Sequence, residues 1–259
     1  MPDKRQILHQ LVAMSCALGD PAKDYLTPGG GNTSARIDDE TFFVKASGMR
    51  LESIDESGFV EVRFEGVLAL LEEEDLSRKE VQAGLKAAKK DPTGPLRPSV
   101  ETILHAQALS TGAASFVGHT HPTMVNAILC SQKAEEAFSG RLFPDEIVVC
   151  GPAPVYVPYV DFGLPLARAV WGRVERYTDL YGEWPKVVLL QNHGLIALGE
   201  SPQEVLDITD VMVTAAKVLL GAYALGGPHF MSAEQVGAIH THPAEVYRRQ
   251  VLGMGQERS

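Results

Sequence analysis

The chain has 259 residues, of which 45% are hydrophobic and 22% charged, a composition typical of globular proteins. Its formal net charge of −10 argues against a nucleic-acid or anionic-membrane surface, since both need clustered Lys and Arg. A small anionic substrate is not excluded, because a local site can be positive on an acidic protein. No apolar run reaches the ~18 residues of a membrane-spanning helix, and no signal-peptide pattern opens the chain. We therefore expect one cytoplasmic domain without a nucleic-acid or membrane partner.

Three cysteines, Cys16, Cys130 and Cys150, are scattered along the chain and form no C-x-x-C pair. An odd number without a pairing pattern favours reduced thiols over a disulfide framework. We expect three reduced core residues, in agreement with a cytoplasmic location.

Hydrophobic periodicity predicts helices and strands that alternate along the chain. Helices are predicted at 5–18, 77–90, 98–108 with Ser99 as N-cap, 122–132, 163–181, 202–224, and twice within 232–250. Strands are predicted at 33–37, 41–47, 59–64, 115–121, 146–150, 154–158, 186–191 and 195–198. Several strands follow one another through turns, which predicts a largely antiparallel or mixed sheet with helices on both faces. We expect a single domain over residues 1–259, with 226–259 as a helical tail.

Two histidines one residue apart, His119 and His121, are the most informative feature of the sequence. Side chains alternate along a strand, so both imidazoles point to one side if residues 115–121 are extended. A third histidine, His193, lies far downstream. Three imidazoles with free coordination positions are a typical catalytic site for a divalent metal, most often zinc. A second His-x-His, at 240–242, lies between short tail helices and is interpreted as a solvated helix junction.

A carboxylate should join the histidines if the site transfers protons. Glu101 is the best candidate, because its predicted helix directly precedes the strand of His119. There it could ligate the ion or act as a general base. His105 lies one turn further on the same helical face, so these two residues could by spacing alone form half a site.

The glycine-rich turn at 29–31 is a candidate anion site. It lacks both the Walker lysine pattern and G-x-G-x-x-G, so nucleotide binding is not the natural interpretation. Amides of a glycine turn flanked by hydroxyls still bind anions, and Ser47, Gly48 and Ser99 offer the same groups. These backbone amides and hydroxyls together can surround a phosphate without a lysine.

Five motifs occur in a fixed order: Gly31-Asn32-Thr33-Ser34, Ser47-Gly48, Pro98-Ser99-Val100-Glu101, His119-Thr120-His121-Pro122 and Asn192-His193-Gly194-Leu195. Together they resemble the class II aldolase/adducin family, which includes fuculose-phosphate and rhamnulose-phosphate aldolases and ribulose-phosphate 4-epimerase. The similarity covers roughly residues 5–225. Each motif alone is weak, whereas the ordered set is highly specific.

The resemblance implies a single three-layer α/β/α domain with a central, mainly antiparallel sheet, assembled as a homotetramer with active sites between subunits. It implies that His119, His121 and His193 bind zinc, or Mn²⁺, Co²⁺ or Fe²⁺. Glu101 then matches the acid/base residue, and His105 is a core or supporting histidine. The substrate phosphate pocket is matched by Gly31, Asn32, Ser47, Gly48 and Ser99.

The function implied is metal-dependent cleavage of a ketose 1-phosphate to dihydroxyacetone phosphate and an aldehyde. The chain departs from the fuculose-phosphate pattern near 143–145, where a tyrosine that donates a proton is missing. Asp145 is the candidate that could replace it. The family also has a C-terminal tyrosine that a neighbouring subunit contributes, and Tyr247 is the candidate for that residue. The alternatives are a sugar-phosphate 4-epimerase, a dehydratase or a decarboxylase, and a non-catalytic adducin-like module. The last is disfavoured because the three histidines and Glu101 occur together.

Overall fold

Residues 3–251 and 253 are described by a computed structural model, in which seven strands form one sheet. The strands are β1 (Asn32–Arg36), β2 (Thr41–Lys45), β3 (Phe59–Arg63), β4 (Phe116–Thr120), β5 (Val155–Val157), β6 (Val187–Leu190) and β7 (Gly194–Gly199). The helices are α1 (Lys4–Leu18), α2 (Phe64–Glu72), α3 (Arg78–Ala87), α4 (Thr102–Ser110), α5 (Thr123–Leu129), α6 (Ala134–Ala137), α7 (Pro144–Cys150), α8 (Leu164–Tyr181), α9 (Pro202–Ala224), α10 (Ala233–His240) and α11 (Pro243–Val251).

The strand order is β3-β2-β1-β4-β7-β6-β5, and every neighbouring pair is antiparallel except β5 with β6. The mainly antiparallel sheet predicted above is therefore confirmed. At its centre, Asn32 of β1 pairs with His119 of β4, and His119 pairs with Ile196 of β7. This register places residues from distant parts of the chain side by side.

Alternating side chains of the strands separate two apolar layers. In β7, Leu195 and Ala197 pack in the layer that includes α1, α5 and α9. Ile196 and Leu198 pack in the opposite layer, with α2, α4 and α8. The period of two in a strand buried on both faces explains this division. The expected three-layer α/β/α architecture is confirmed.

The prediction of a strand at 146–150 is wrong, because these residues belong to α7. Their apolar, β-branched run does not distinguish a buried strand from a buried helix by periodicity alone. Pro144 at the start and two acidic residues in the first turn favour the helix. Packing of α7 against α9 then buries Ile147 and Cys150.

The predicted helix start at Ser99 is also wrong, since α4 begins at Thr102. The preceding residues run alongside the end of β2: Ser99 N–H donates to Lys45 O at 3.2 Å, and Ser47 N–H donates to Arg97 O at 2.8 Å. This pairing holds the backbone extended. Glu101 thus lies at the N-cap position of α4 rather than one turn into it, and Ser99 lies beside Lys45.

Helix α2 has no counterpart among the helices predicted from the sequence. Of the three cysteines, Cys150 is buried and Cys16 partly buried, whereas Cys130 is exposed, so the prediction of a core residue fails there. No helix in the described residues is long and apolar enough to cross a bilayer. The two short tail helices are present as α10 and α11. The predicted domain, 1–259 with a tail at 226–259, stays a prediction, and its residues 1–2, 252 and 254–259 lie outside the described part.

Candidate active site

Three imidazoles meet at one end of the central strands. His119 lies in β4, His121 follows the end of that strand, and His193 lies in the turn from β6 to β7. Nε2 of His119 lies 3.0 Å from Nε2 of His121 and 3.2 Å from Nε2 of His193. Within the described residues, only these three side chains form a His, Cys, Asp or Glu group able to hold a metal ion. The structure thus brings together the three histidines that the sequence singled out.

The spacing of these nitrogens fits a shared dication. Zinc–nitrogen bonds of about 2.0–2.1 Å at tetrahedral angles place two ligand nitrogens roughly 3.3 Å apart. The distances of 3.0 and 3.2 Å are close to that value. Three imidazoles also leave coordination space for a substrate, as in catalytic zinc sites.

The protonation of the histidines suits metal binding. Nδ1–H of His119 donates to Leu195 O at 3.0 Å, so the lone pair is on Nε2, the nitrogen that faces the other rings. Burial lowers the pKa of His119 more than the Glu101 carboxylate raises it. Burial, together with the neighbouring imidazoles, lowers the pKa of His121 to about 3. Both rings are therefore neutral near pH 7, the form that binds a metal.

The turn that carries His193 is held by its neighbours. Asn192 adopts a left-handed backbone conformation with φ of 55°, which asparagine tolerates better than most residues. Nδ2 of Asn126 donates to the backbone oxygen of His193 at 3.0 Å. A Cβ at Gly194 would lie 2.4 Å from Thr120 O, so this close approach of β7 to β4 requires glycine.

Glu101 is the carboxylate of the site. Its Oε1 lies 3.1 Å from Nε2 of His193, and its Oε2 lies 3.5 Å from Nε2 of His119. Nδ2 of Asn32 donates to Oε2 at 2.6 Å. Burial would raise the pKa of Glu101, but the two imidazoles and the Asn32 amide hold it well below its usual range. The ionised carboxylate can therefore ligate a cation or accept a proton.

A cleft of about 480 Å³ adjoins the imidazoles and is bordered on one side by Glu101. Among the described residues, the amide N–H of Gly48 has no hydrogen-bond partner, and φ of 85° at this residue is a conformation favoured by glycine. Free amides and hydroxyls of this kind bind anions. The lining includes all five residues of the predicted phosphate pocket, Gly31, Asn32, Ser47, Gly48 and Ser99.

A family model for the Class II Aldolase and Adducin N-terminal domain matches residues 10–220 of the chain. The chain belongs to the class II aldolase and adducin family. Enzymes of this family are generally dependent on a divalent metal, and the histidine cluster could bind such an ion.

The class II aldolase domain is also similar to individual proteins. A methylthioribulose-1-phosphate dehydratase from Geobacillus kaustophilus (strain HTA426) is 29% identical over 191 residues, which cover 71% of this chain and 77% of the relative. The structure of YgbL, a putative aldolase/epimerase/decarboxylase from Klebsiella pneumoniae, matches with a TM-score of 0.67 and 21% identity, over 92% of this chain and all of that one. An L-fuculose 1-phosphate aldolase matches with a TM-score of 0.64 and 18% identity, over 93% and 96% of the two chains. At such identities the two structures show a shared fold alone.

Lys45 is a residue of this class II aldolase cleft that sequence reasoning missed. It ends β2 and is only 3% exposed, and its ammonium has one weak contact, 3.5 Å to Ala46 O. Burial lowers its pKa, while the nearby Glu101 carboxylate opposes that shift. The sequence signal that could have revealed this residue is a lysine within the apolar run directly before Ser47-Gly48. Contrary to the expectation of a pocket without lysine, the cleft holds a buried cation.

Asp145 and Tyr247 lie outside the cleft of their own chain. Asp145 is in the first turn of α7, where its carboxylate forms an exposed ion pair with Arg248 at 2.9 Å. Tyr247 lies on α11 and is 68% exposed. Neither lines the cleft beside Glu101. The role of Asp145 as a proton donor stays a prediction.

His105 and the second His-x-His have different environments. His105 is buried on α4, where it contacts Asn32 and Ser34. His240 ends α10, and its Nε2 lies 3.1 Å from a carboxylate oxygen of Glu183. The His240–His242 pair thus lies at the junction of α10 and α11, as expected for a helix junction.

Proposed function

We propose that this protein is a divalent-metal-dependent aldolase that cleaves a ketose 1-phosphate to dihydroxyacetone phosphate and an aldehyde. The observation that carries the proposal is the meeting of three imidazole nitrogens with the Glu101 carboxylate, at 3.1 Å from His193. An adjoining cleft with a buried lysine and anion-binding groups supports a phosphorylated substrate. Membership of the class II aldolase family supports the same chemistry.

The substrate phosphate is proposed to bind at Asn32, Ser47, Gly48 and Ser99, next to the ammonium of Lys45. Amides and hydroxyls fix the phosphate oxygens, and the buried cation balances part of their charge. Binding at this end orients the sugar along the cleft towards the imidazoles. Orientation of the reacting bond is itself a large part of catalysis.

His119, His121 and His193 are the proposed metal ligands. A divalent ion held there supplies a Lewis acid for negative charge that develops on substrate oxygens. Zinc fits the nitrogen spacing, and Mn²⁺, Co²⁺ and Fe²⁺ are alternatives because imidazole sites accept several first-row metals.

Glu101 is proposed to transfer the proton. Its carboxylate accepts the proton of the C4 hydroxyl while the C3–C4 bond breaks, and the C4 oxygen becomes the aldehyde carbonyl. The electron pair of the broken bond passes to C3 and the C2 carbonyl. Return of the proton from Glu101 to C3 of the resulting three-carbon enediolate gives dihydroxyacetone phosphate and restores the carboxylate.

Asp145 is proposed as a second proton-transfer group. Because it does not line the cleft of its own chain, this role requires the cleft of a neighbouring subunit. A homotetramer with active sites between subunits is the assembly we propose. Exposed apolar side chains at the cleft, among them Tyr159 and Phe162, support coverage by another subunit. The free cysteines support a cytoplasmic location.

Metal analysis and aldol condensation test this proposal. The purified protein should contain or rebind a divalent metal, and should condense dihydroxyacetone phosphate with one of a panel of short hydroxyaldehydes. Less than about a tenth of an equivalent of metal, without rebinding, would remove the catalytic interpretation. Metal binding without condensation of any aldehyde would reject the aldolase assignment alone.

A dehydratase is the second candidate, favoured by the similarity to the Geobacillus kaustophilus enzyme. Removal of a proton at C3 of a ketose 1-phosphate, with loss of the C4 hydroxyl as water, needs the same carbonyl activation and the same base. Incubation with methylthioribulose 1-phosphate and mass spectrometry separates the two reactions. A product lighter by one water supports the dehydratase, whereas two smaller fragments support the aldolase. Epimerase and decarboxylase activities are read from the same spectra and the sugar stereochemistry.

A further inference from the structure

A chain of buried hydrogen bonds leads away from Glu101 through three side chains. Nδ2 of Asn32 donates to Oε2 of Glu101 at 2.6 Å, and Oδ1 of Asn32 contacts Nε2 of His105. Nδ1 of His105 in turn lies 2.6 Å from Oγ of Ser34. His105, Asn32 and Ser34 are all buried. His105 does not line the cleft and touches no metal-binding histidine.

The direction of every bond in this chain follows from its first member. An ionised carboxylate only accepts hydrogen bonds, so the amide nitrogen of Asn32 must face Glu101. The amide oxygen of Asn32 then faces His105, whose Nε2 must carry the proton. Nδ1 of His105 is left with a lone pair, and the hydroxyl of Ser34 donates to it.

The opposite orientation of Asn32 would place two acceptors, its oxygen and a Glu101 oxygen, against each other. It would also place the amide N–H group of Asn32 against the Nε2–H of His105. The Glu101 carboxylate and the Nε2–H of His105 therefore favour the same amide orientation, and loss of the His105 donor leaves it less firmly fixed. In the selected orientation Asn32 offers N–H groups to Glu101 and to the cleft, and no acceptor that would repel a substrate anion.

We infer that His105 is a positioning residue, which fixes the amide orientation of Asn32 and thereby the donors that face Glu101 and the substrate phosphate. The inference rests on the proposed function, since it concerns the same site. A histidine that only fills the core would need neither a defined tautomer nor a side-chain donor.

The tautomer of His105 is measured directly on the unsubstituted protein, without metal or substrate. Nitrogen-15 shifts of the imidazole, assigned by comparison with His105→Gln, distinguish a protonated ring nitrogen from one with a lone pair. We expect the proton on Nε2. A neutral ring with its proton on Nδ1 would overturn the inference, whether or not the protein proves to be an aldolase.

Substitutions test the consequence for binding, with inorganic phosphate as the probe in calorimetry. His105→Leu removes the donor, and loss of one hydrogen bond to an anion should weaken phosphate binding by ~10-fold. His105→Gln restores a side-chain N–H and should stay within about threefold of the parent. Gln107→Leu is the matched control, because Gln107 is a buried polar residue of the same helix whose Oε1 has no partner.

Three results would contradict the inference. They are parent-like phosphate binding by folded His105→Leu, equal losses in His105→Gln and His105→Leu, and an equal loss in the Gln107→Leu control. If His105→Leu does not fold, His105→Phe takes its place, because its ring fills a similar volume without a donor. Weaker phosphate binding in folded His105→Phe then supports the inference, and unchanged binding rejects it. Metal content, measured by chelator competition on each variant, separates these effects from failure of the metal site itself.

Discussion

At the scale of single residues, Glu101 is the one described carboxylate that contacts two imidazoles at once, His193 at 3.1 Å and His119 at 3.5 Å. Its low pKa keeps it ionised at neutral pH, the state in which it can ligate a cation or accept a proton. Asn32 contributes to that low pKa from the side of the cleft that we propose binds the phosphate. In the proposed function, proton transfer and phosphate binding are thus connected through one amide.

Glu101→Gln should lower turnover by ~10²-fold or more, the usual scale for a lost acid/base group. We expect metal to be partly retained, since the three imidazoles remain. Steady-state kinetics with metal analysis on the same samples measures both. Glu136→Gln on α6 is the control, because Glu136 is exposed and pairs with Lys133. Turnover of Glu101→Gln within about threefold of the parent would exclude Glu101 from the mechanism.

His193→Ala should abolish tight metal binding. It removes one of the three proposed ligands, so the loss of affinity should exceed the ~10–100-fold typical of changes outside the first coordination shell. His193 is partly exposed, with 25% side-chain exposure, so its truncation leaves the core packed. His242→Ala in the exposed tail is the matched control. Equal affinity of the two variants, measured with a chromophoric chelator, would place the metal elsewhere.

At the scale of elements, the site depends on how closely β7 approaches β4. Gly194 lies at the start of β7, and the backbone of Thr120 leaves no room for a Cβ there. The same turn presents His193. Close packing of β7 on β4 and placement of the proposed ligand His193 therefore both depend on Gly194.

Gly194→Ala should destabilise the fold by about 1–3 kcal/mol, the usual cost of overpacking. Gly172→Ala should instead stabilise the fold. Gly172 lies within α8, and a Cβ at this position meets nothing within 4 Å. Alanine should therefore stabilise the helix by roughly 0.5–1 kcal/mol. Urea unfolding at one protein concentration measures both. A neutral Gly194→Ala would show that β7 moves freely away from β4.

Which elements and residues could be predicted from the sequence depends on the interactions that decide them. Local periodicity determines the helices α1 and α9 and the common side of the strand to which His119 and His121 point, so these features were predictable. Pairing of Ser99 with Lys45 across the chain displaced the start of α4, and no local pattern contains that pairing. Lys45 was missed because charge alone does not reveal burial. Glu101 was found from its place just before the His119 strand, and the family resemblance matched it to an acid/base residue. Its N-cap position required the structure.

At the scale of the whole molecule, buried neutral histidines connect stability to pH. Burial lowers the pKa of His105 to about 3, against 6.5 in an unfolded chain. Between these values the unfolded state binds more protons than the folded state, so stability falls as the pH falls. The lowered pKa of Glu101 acts in the same direction at lower pH.

The metal-free protein should therefore unfold at lower urea concentrations as the pH decreases from 7 towards 4. His105→Gln removes one contributor and should flatten this dependence, whereas His242→Gln in the exposed tail should not. Urea midpoints at several pH values measure the slopes. Identical slopes for the parent and His105→Gln would contradict the assignment of a buried, neutral His105.

The central register has a consequence for how the molecule is made. His119 and His193 are 74 residues apart in the chain and become neighbours only when β7 has joined β4. Contacts of such long range form late in folding, because a large loop must close first. A chain whose synthesis has not yet reached the turn before β7 lacks His193 and so lacks the proposed ligand set. Uptake of the ion would then report that β7 has joined β4.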